Sequence, residues 1–215
     1  MGLELPPDGP AQLASYIDLL ERWNRVYNLT AVRDPEAMVS RHILDSLSIL
    51  PWLRGPRVLD VGSGAGLPGI PLALARPDLE FSLLDSNGKR TRFLQQVVTA
   101  LSLANVRVIQ SRAEQFRETP FDCITSRALA PLSDMLKWCE RLCQPDGLLL
   151  AMKGARPEEE LATVPTGWSA TVHALRVPAL DAQHHLVVLT RAGSPAPPVV
   201  PTLEGTVDSH LQADD

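Results

Sequence analysis

Apolar residues recur at helical spacing in the first part of the chain and as short continuous runs in the rest. From Leu13 onward they lie three or four positions apart and predict an amphipathic helix over about 11–27. Asp34 followed by a proline is typical of a helix start, and the apolar positions after it predict a second helix that Pro51 limits. The pattern therefore predicts two N-terminal helices that precede the first strand.

Short apolar runs then alternate with segments of helical periodicity. The runs predict strands at 57–61, 79–84, 106–110, 121–125, 147–152, near 170–177 and at 185–190. The segments between them predict helices at about 68–75, 88–103, 131–143 and 157–162. Apolar strands that alternate with helices are typical of a parallel sheet covered on both faces. The last two strands have little chain between them, which predicts an antiparallel pair.

Three parts follow from this organisation. Residues 1–54 are a predicted helical cap, 55–190 an α/β core, and 191–215 a proline-rich, acidic tail that is expected to be disordered. The 215 residues are 45% hydrophobic and 21% charged, as in an ordinary globular domain. The sequence has neither a membrane-spanning run nor the basic start of a signal peptide. The cysteines form no C-x-x-C pair, which favours reduced thiols in a cytoplasmic protein without a metal site.

A glycine-rich turn follows the first predicted strand. It reads Asp60-Val61-Gly62-Ser63-Gly64-Ala65-Gly66, and its glycines permit backbone conformations and close approaches that a Cβ would prevent. The next strand ends in Asp85, and a glycine loop followed by such an acid is typical of nucleoside-binding α/β folds. Residues 64–69 also match G-x-G-x-x-G, so a dinucleotide and S-adenosylmethionine are both candidates. Asp60 favours S-adenosylmethionine, because an acid would repel a pyrophosphate. An ordinary tight turn is the third interpretation.

Further segments, in order along the chain, resemble a single family. They are residues 27–33, 41–46, 67–71, 83–86, 88–90, 92–94, 111–114, 126–128, 152–154 and 185–188. Over about 11–190 the chain resembles the RsmG family, also called GidB, of bacterial small-subunit rRNA methyltransferases. The resemblance implies a class I, Rossmann-like methyltransferase fold with seven mostly parallel strands and an antiparallel last strand. It also implies transfer of a methyl group from S-adenosylmethionine to N7 of guanosine 527, in the 530 loop of 16S rRNA. The implied partner is the small ribosomal subunit or its assembly intermediate.

The resemblance also implies where the cofactor binds. Gly62, Leu67, Ala113, Glu114 and Arg127 match positions that the family uses, and Asp85 matches the ribose-binding acid of class I methyltransferases. Together with the loop residues, the predicted cofactor-binding set is Asp60, Gly62, Gly64, Gly66, Leu67, Asp85, Ala113, Glu114 and Arg127. Alternative structural roles are a turn carboxylate for Asp60, a helix N-cap for Asp85 and a solvated acid for Glu114.

The end of the fourth strand indicates the chemistry by what it lacks. Ser126-Arg127-Ala128 contains neither the Asn/Asp-Pro-Pro-aromatic motif of amine methyltransferases nor a Pro-Cys nucleophile. Guanine N7 has a free lone pair and no proton to lose, so no general base is predicted. Arg127 cannot act as a base, because its pKa is too high. It is expected to orient the cofactor or the target, the latter by donating to guanine O6. A structural salt bridge is its alternative role.

The charges are distributed unevenly. The net charge of −5 argues against a polycation that coats nucleic acid, yet residues 89–117 contain six basic residues and one acid. We predict that Lys89, Arg90, Arg92 and Lys153 contact RNA, with a solvated helix face as the alternative.

Two residues of the second helix, His42 and Asp45, lie three positions apart and are predicted to pair.

The sequence has no additional apolar stripe that could form a subunit interface, which favours a monomer. The residues alone leave three other functions open: a methyltransferase for a small molecule or protein, a nicotinamide oxidoreductase, and a non-catalytic RNA-binding module.

Overall fold

One seven-stranded sheet forms the centre of the protein in the computed structural model, which describes residues 3–180 and 183–194. The strands are β1 (Arg57–Val61), β2 (Glu80–Asp85), β3 (Val106–Gln110), β4 (Phe121–Arg127), β5 (Cys143–Lys153), β6 (Trp168–Leu175) and β7 (His184–Arg191). Their order is β3-β2-β1-β4-β5-β7-β6. Strand β7 is antiparallel to both of its neighbours, and the other pairs are parallel. The predicted fold class is therefore confirmed.

Helices cover both faces of this sheet. They are α1 (Gly9–Tyr27), α2 (Pro35–Met38), α3 (Asp45–Leu47), α4 (Gly69–Ala75), α5 (Gly88–Ala100), α6 (Leu132–Cys139) and α7 (Glu158–Leu161). Helices α1, α4 and α5 contribute to one buried apolar cluster, and α6 contributes to the other. Val58 of β1 belongs to the first cluster and Leu59 to the second, because successive side chains point to opposite faces of a strand.

The second N-terminal helix is less regular than its sequence pattern predicted. It begins as expected at Asp34, whose carboxylate accepts hydrogen bonds from two backbone N–H groups, those of residues 36 and 37. Between α2 and α3 the chain forms a π-helical stretch, Val39–Leu44. A π-helical turn is wider than an α-helical turn, so it changes which side chains share a face of the helix.

Several element boundaries differ from the predicted ones. Helix α5 ends at Ala100 and α6 at Cys139, earlier than expected, and a 3-10 turn follows α6. Strand β5 begins at Cys143 instead of 147, because Cys143 still pairs with Phe121 across an irregularity in the ladder.

The remaining sequence expectations concern the termini and the cysteines. Apart from residues 191–194, the predicted disordered tail lies outside the described residues. All three cysteines are free and buried, and burial raises the pKa of each thiol to about 12. Within 3–180 and 183–194, no helix is long and apolar enough to cross a membrane.

Candidate active site

The glycine loop joins β1 to α4 at the carboxyl edge of the sheet. The Gly62 N–H donates to the carbonyl of Leu84, and the Gly64 N–H donates to Asp85 Oδ2 at 2.9 Å. Gly62, Gly64 and Gly66 have φ values of +70°, +58° and +91°, which side chains rarely tolerate. A Cβ on Gly64 would meet only the carbonyl of Gly62, at 3.8 Å, so this part of the loop faces open space. The loop therefore offers bare backbone to a ligand.

The start of α4 is packed inward. Gly66 has no room for a Cβ, which would lie 2.6 Å from Ile70 and 2.9 Å from Leu94. Leu67 is buried and belongs to the apolar cluster beneath the loop. Both residues shape the loop from below, and their predicted roles in cofactor binding stay predictions.

Asp60 lies beneath the same loop and is fully buried. Its Oδ2 accepts from the Gly69 N–H at 3.1 Å, and its Oδ1 accepts from the Thr125 hydroxyl, also at 3.1 Å. Burial raises the pKa of this carboxyl to about 6, although these hydrogen bonds oppose the rise. The carboxylate thus ties β1 to α4 and β4. It has no exposed surface for direct contact, and its predicted role at the methionine end of the cofactor stays a prediction.

Tyr16 is a residue that sequence reasoning missed. It lies on α1, is fully buried, and donates from its hydroxyl to the carbonyl of Ala65 at 2.7 Å. Burial raises its pKa, so the hydroxyl keeps its proton. The sequence signal was a tyrosine within the apolar face of α1, where a polar tip needs a buried partner. Through this bond the N-terminal cap supports the glycine loop.

A cleft of about 180 Å³ lies beside the loop, at the carboxyl ends of β1, β2 and β3. It brings together four of the predicted cofactor residues, which are Gly62, Asp85, Ala113 and Glu114. Leu84, Arg90, Leu129 and Trp138 also line it. Leu129 packs over the loop, because a Cβ on Gly62 would lie 2.4 Å from its Cδ1. Leu129 and Trp138 were not predicted, since only the tertiary structure brings them to the cleft.

Asp85 lines this cleft and is 4% exposed. Its Oδ1 accepts from the Asn87 N–H at 2.8 Å, and its Oδ2 accepts from Gly64 and lies 3.5 Å from Arg90 Nη1. A carboxylate offers about four acceptor sites, so capacity remains for a hydroxyl group of a ribose.

Ala113 and Glu114 also line the cleft and offer it a backbone donor and a carboxylate acceptor. The Ala113 carbonyl accepts from Arg141, but no described residue accepts from the Ala113 N–H. The neighbouring Glu114 side chain is exposed. Because Asp85 and the apolar residues Leu84 and Leu129 line the same cleft, its chemistry fits the nucleoside of S-adenosylmethionine.

A second, larger cavity of about 770 Å³ lies under the N-terminal cap, at the ends of β4, β5 and β7. Its charged and titratable lining residues are Arg41, His42, Asp45, Arg127, Lys153, His184 and His185. Arg127 faces this cavity and does not line the smaller cleft. Residues 127 and 128 line the larger cavity, whereas Leu129 lines the smaller one, so the end of β4 borders both.

Arg127 forms the salt bridge that the sequence left as an alternative. Its Nη1 lies 3.0 Å from Asp45 Oδ2 and also donates to the carbonyl of Arg41 at 3.1 Å. The other oxygen of Asp45 lies 2.8 Å from His184 Nδ1, but the two groups are not aligned as a hydrogen bond. This contact is an ion pair only when His184 is protonated.

The predicted pair between His42 and Asp45 is wrong. His42 Nδ1 lies 2.9 Å from the carbonyl of Arg41 and Nε2 lies 2.9 Å from the Thr30 hydroxyl, which suits a neutral ring. Burial lowers its pKa, and the Arg127 charge lowers it further. The prediction assumed a regular helix, whereas the π-helical stretch directs Asp45 to Arg127.

The predicted RNA-contacting residues differ in their availability. Lys89 and Arg92 are exposed near the start of α5, and within the described chain their side chains have no ion-pair partner. Arg90 lies beside Asp85. Lys153 is held by Glu160 at 2.7 Å and donates to the carbonyl of Ala130 at 2.9 Å, so it is less available than Lys89 and Arg92.

Known structures share this fold. An S-adenosylmethionine-dependent methyltransferase from Aquifex aeolicus aligns with a TM-score of 0.56 and 19% identity, over 82% of this chain and 97% of that one. M. jannaschii TYW2 in complex with AdoMet aligns with a TM-score of 0.54 and 16% identity, over 69% and 76% of the two chains. The sheet order and the likeness to these structures define the class I, Rossmann-like methyltransferase fold.

The particular family follows from sequence comparison. The model of the family described as rRNA small subunit methyltransferase G matches residues 10–187. The ribosomal RNA small subunit methyltransferase G of Yersinia enterocolitica is 54% identical over 191 residues, 87% of this chain and 93% of that protein. The Cronobacter sakazakii protein of the same name is 52% identical over 190 residues, 87% and 92% of the two. The chain belongs to this family, which confirms the predicted resemblance. It is an S-adenosylmethionine-dependent methyltransferase of small-subunit rRNA.

Proposed function

We propose that the protein methylates N7 of guanosine 527, in the 530 loop of 16S rRNA, and that its two cavities bind the cofactor and the target base separately. The smaller cleft binds the nucleoside of S-adenosylmethionine and the larger cavity receives the target. The observation that carries this proposal is the end of β4, where Arg127 lines one cavity and Leu129 the other. A methyl group held near this strand end lies between a cofactor on one side and a base on the other.

The cofactor residues act through different groups. We assign Asp85 to the ribose hydroxyls and the free Ala113 N–H, with Glu114, to the adenine edge. Gly62 and Gly64 supply bare backbone for the methionine end. Asp60, Gly66 and Leu67 are assigned to the shape of the loop.

The chemistry requires positioning more than proton transfer. S-adenosylmethionine supplies an electrophilic methyl group when it is bound. Guanine N7 attacks with its own lone pair, so the protein need only hold N7 in line with that methyl. The histidines fit this assignment: His42 and His185 each bond a backbone carbonyl, and His184 lies against Asp45. None of them is needed as a base.

A loop base enters such a cavity only when it is unstacked, so the nucleotide is flipped out of its loop. We assign Lys89, Arg90, Arg92 and Lys153 to the surrounding RNA, with Lys89 and Arg92 the more available pair. We expect the enzyme to act as a cytoplasmic monomer on the small subunit or on an assembly intermediate.

The activity is tested with labelled S-adenosylmethionine. Small ribosomal subunits, naked 16S rRNA and tRNA, all from cells that lack the enzyme, serve as separate substrates. We expect label in subunits or 16S rRNA, and chemical cleavage at 7-methylguanosine should map it to position 527. Label in tRNA alone, or in none of the three, would contradict the proposal.

The cofactor assignment has its own test. Asp85→Asn removes the charge that faces the ribose, and we expect at least about tenfold weaker binding of S-adenosylhomocysteine by calorimetry. The matched control is Asp78→Asn, an exposed carboxylate whose partner is Arg76. Equal binding by the two variants would remove Asp85 from the site.

A further inference from the structure

The larger cavity is lined by more basic than acidic side chains, and most of its charged groups already have partners. Asp45 is the only carboxylate among the described residues that line it, and it lies 3.0 Å from Arg127. Lys153 forms an ion pair with Glu160, which does not line the cavity. Of the arginines and lysines in the described lining, Arg41 therefore remains as the one without an ion-pair partner.

Arg41 lies in the π-helical stretch Val39–Leu44, and its backbone is held against the end of β4. Its carbonyl accepts from Arg127 Nη1 at 3.1 Å and lies 2.9 Å from His42 Nδ1. The residue is nevertheless exposed, and no described group accepts a hydrogen bond from its guanidinium. Because Arg41 is exposed and also lines the cavity, it stands at the cavity mouth.

The charge of Arg41 acts on the cavity as well as on the solvent. Burial lowers the pKa of the His42 ring, and the charges of Arg127 and Arg41 lower it further. Since His42 lines the same cavity, the Arg41 guanidinium lies close enough to attract an anion there. Turns of π-helix are frequent at functional sites, which agrees with this placement.

Resting on the function proposed above, we propose that Arg41 binds a backbone phosphate of the flipped target nucleotide at the mouth of the larger cavity. A flipped base rotates about its own backbone, so the phosphates on either side of it stay next to the opening. A guanidinium can bind a phosphate through two parallel N–H donors, which fixes its direction as well as its distance. Arg41 would thus hold the backbone while the base enters the cavity.

This residue is absent from the RNA-contacting set that the sequence predicted. Of that set only Lys153 lines the larger cavity, and Glu160 holds its ammonium group. Lys89 and Arg92 line neither cavity and are suited to RNA farther from the target. The sequence could not single out Arg41, because only the folded chain brings the cap to the ends of β4, β5 and β7.

The first test is Arg41→Gln, which removes the charge from an exposed side chain. We expect KM for the methylated RNA substrate to rise about tenfold or more, as for the loss of a hydrogen bond to a charged group. The slope of log K for RNA binding against log salt concentration should become shallower by about one. The affinity for S-adenosylhomocysteine, measured by calorimetry, is expected to stay within about twofold.

Two further variants separate a specific contact from a general effect of charge. Arg41→Lys keeps the charge and loses the planar pair of donors, so we expect an intermediate KM and the wild-type salt slope. Arg22→Gln is the matched control, because Arg22 is an exposed arginine of the cap that lines neither cavity. It should match the wild type in KM and in cofactor affinity.

The phosphate itself is tested with modified RNA. One methylphosphonate linkage, which is uncharged, is placed on the 5′ or on the 3′ side of guanosine 527 in ligated 16S rRNA. On one of these two RNAs we expect the wild-type KM to rise as far as it does in Arg41→Gln. On that RNA Arg41→Gln should lose nothing further, because its partner is already absent.

Four results would overturn the inference: an unchanged KM in Arg41→Gln, an equal rise in Arg22→Gln, additive effects on both modified RNAs, or a parallel loss of affinity for S-adenosylhomocysteine. The last result would assign Arg41 to the cofactor. If Arg41→Gln does not fold, unchanged wild-type KM values on both modified RNAs would overturn it as well. A wild-type protein that leaves 16S rRNA unmethylated would overturn the proposed function, and this inference with it. Normal wild-type activity with a normal Arg41→Gln variant would overturn the inference alone.

Discussion

The buried carboxyl of Asp60 makes the stability of the protein depend on pH. Burial raises its pKa from 3.8 to about 6, so the folded state holds this proton more tightly than the unfolded state does. The stabilisation from the bound proton is complete below the unfolded pKa and is lost as the pH rises through the folded pKa. The free energy of unfolding therefore falls between about pH 4 and pH 6.5 on account of Asp60.

The size of this effect follows from the pKa difference. The rise of the pKa from 3.8 to about 6 corresponds to about 3 kcal/mol in the free energy of unfolding. About 2 kcal/mol of this is lost between about pH 4.5 and pH 7.5. Asp60→Asn removes the titration and keeps the shape. The amide oxygen accepts from Gly69, and the amide nitrogen donates to the Thr125 hydroxyl, which accepts as well as donates. The variant should thus lose the pH dependence that Asp60 supplies.

The measurement is urea unfolding, followed by circular dichroism, at several pH values across this range. We expect the wild type to lose about 2 kcal/mol relative to Asp60→Asn as the pH rises. Asp78→Asn is the control, because the Arg76 side chain lowers the pKa of Asp78 and keeps its titration below the range. Its curve should run parallel to the wild-type curve. If the Asp60→Asn curve is also parallel, the carboxyl titrates normally and the reasoning from burial is refuted.

Other predictions concern the loop and the charged surface. Tyr16→Phe leaves the buried carbonyl of Ala65 without its donor. The free energy of unfolding, measured by urea titration, should fall by about 1–3 kcal/mol; unchanged stability would contradict this. Gly62 has a φ of +70°, and in Gly62→Ala the added Cβ would lie 2.4 Å from Leu129. This variant should not bind S-adenosylhomocysteine, as measured by calorimetry. Gly154→Ala, with nothing within 4 Å, should bind normally. Replacing Lys89 and Arg92 by Gln should make the slope of log K for RNA binding against log salt concentration shallower by about one to two. An unchanged slope would leave both residues on a solvated face.

Local patterns were sufficient for the elements of this fold and for its cofactor loop. Helical spacing indicated α1, and apolar runs indicated the strands, because burial on both sheet faces demands continuous apolar residues. Glycines next to Asp60 indicated a loop that a ligand approaches, since only glycine readily adopts the φ values seen there. Ser126-Arg127-Ala128 excluded the motifs of amine methylation from the sequence alone.

The tertiary structure decided which of these residues share a cavity and which only support one. Asp60 is near the loop in sequence, yet it is fully buried beneath it, whereas Leu129 is distant in sequence and packs over it. The π-helical stretch precedes Asp45, which contacts Arg127 and not His42, a result that no regular helical periodicity indicates. Sequence patterns report the local backbone and the side that is buried. Contacts between the ends of separate strands depend on register and packing across the whole sheet, so only the folded chain determines them.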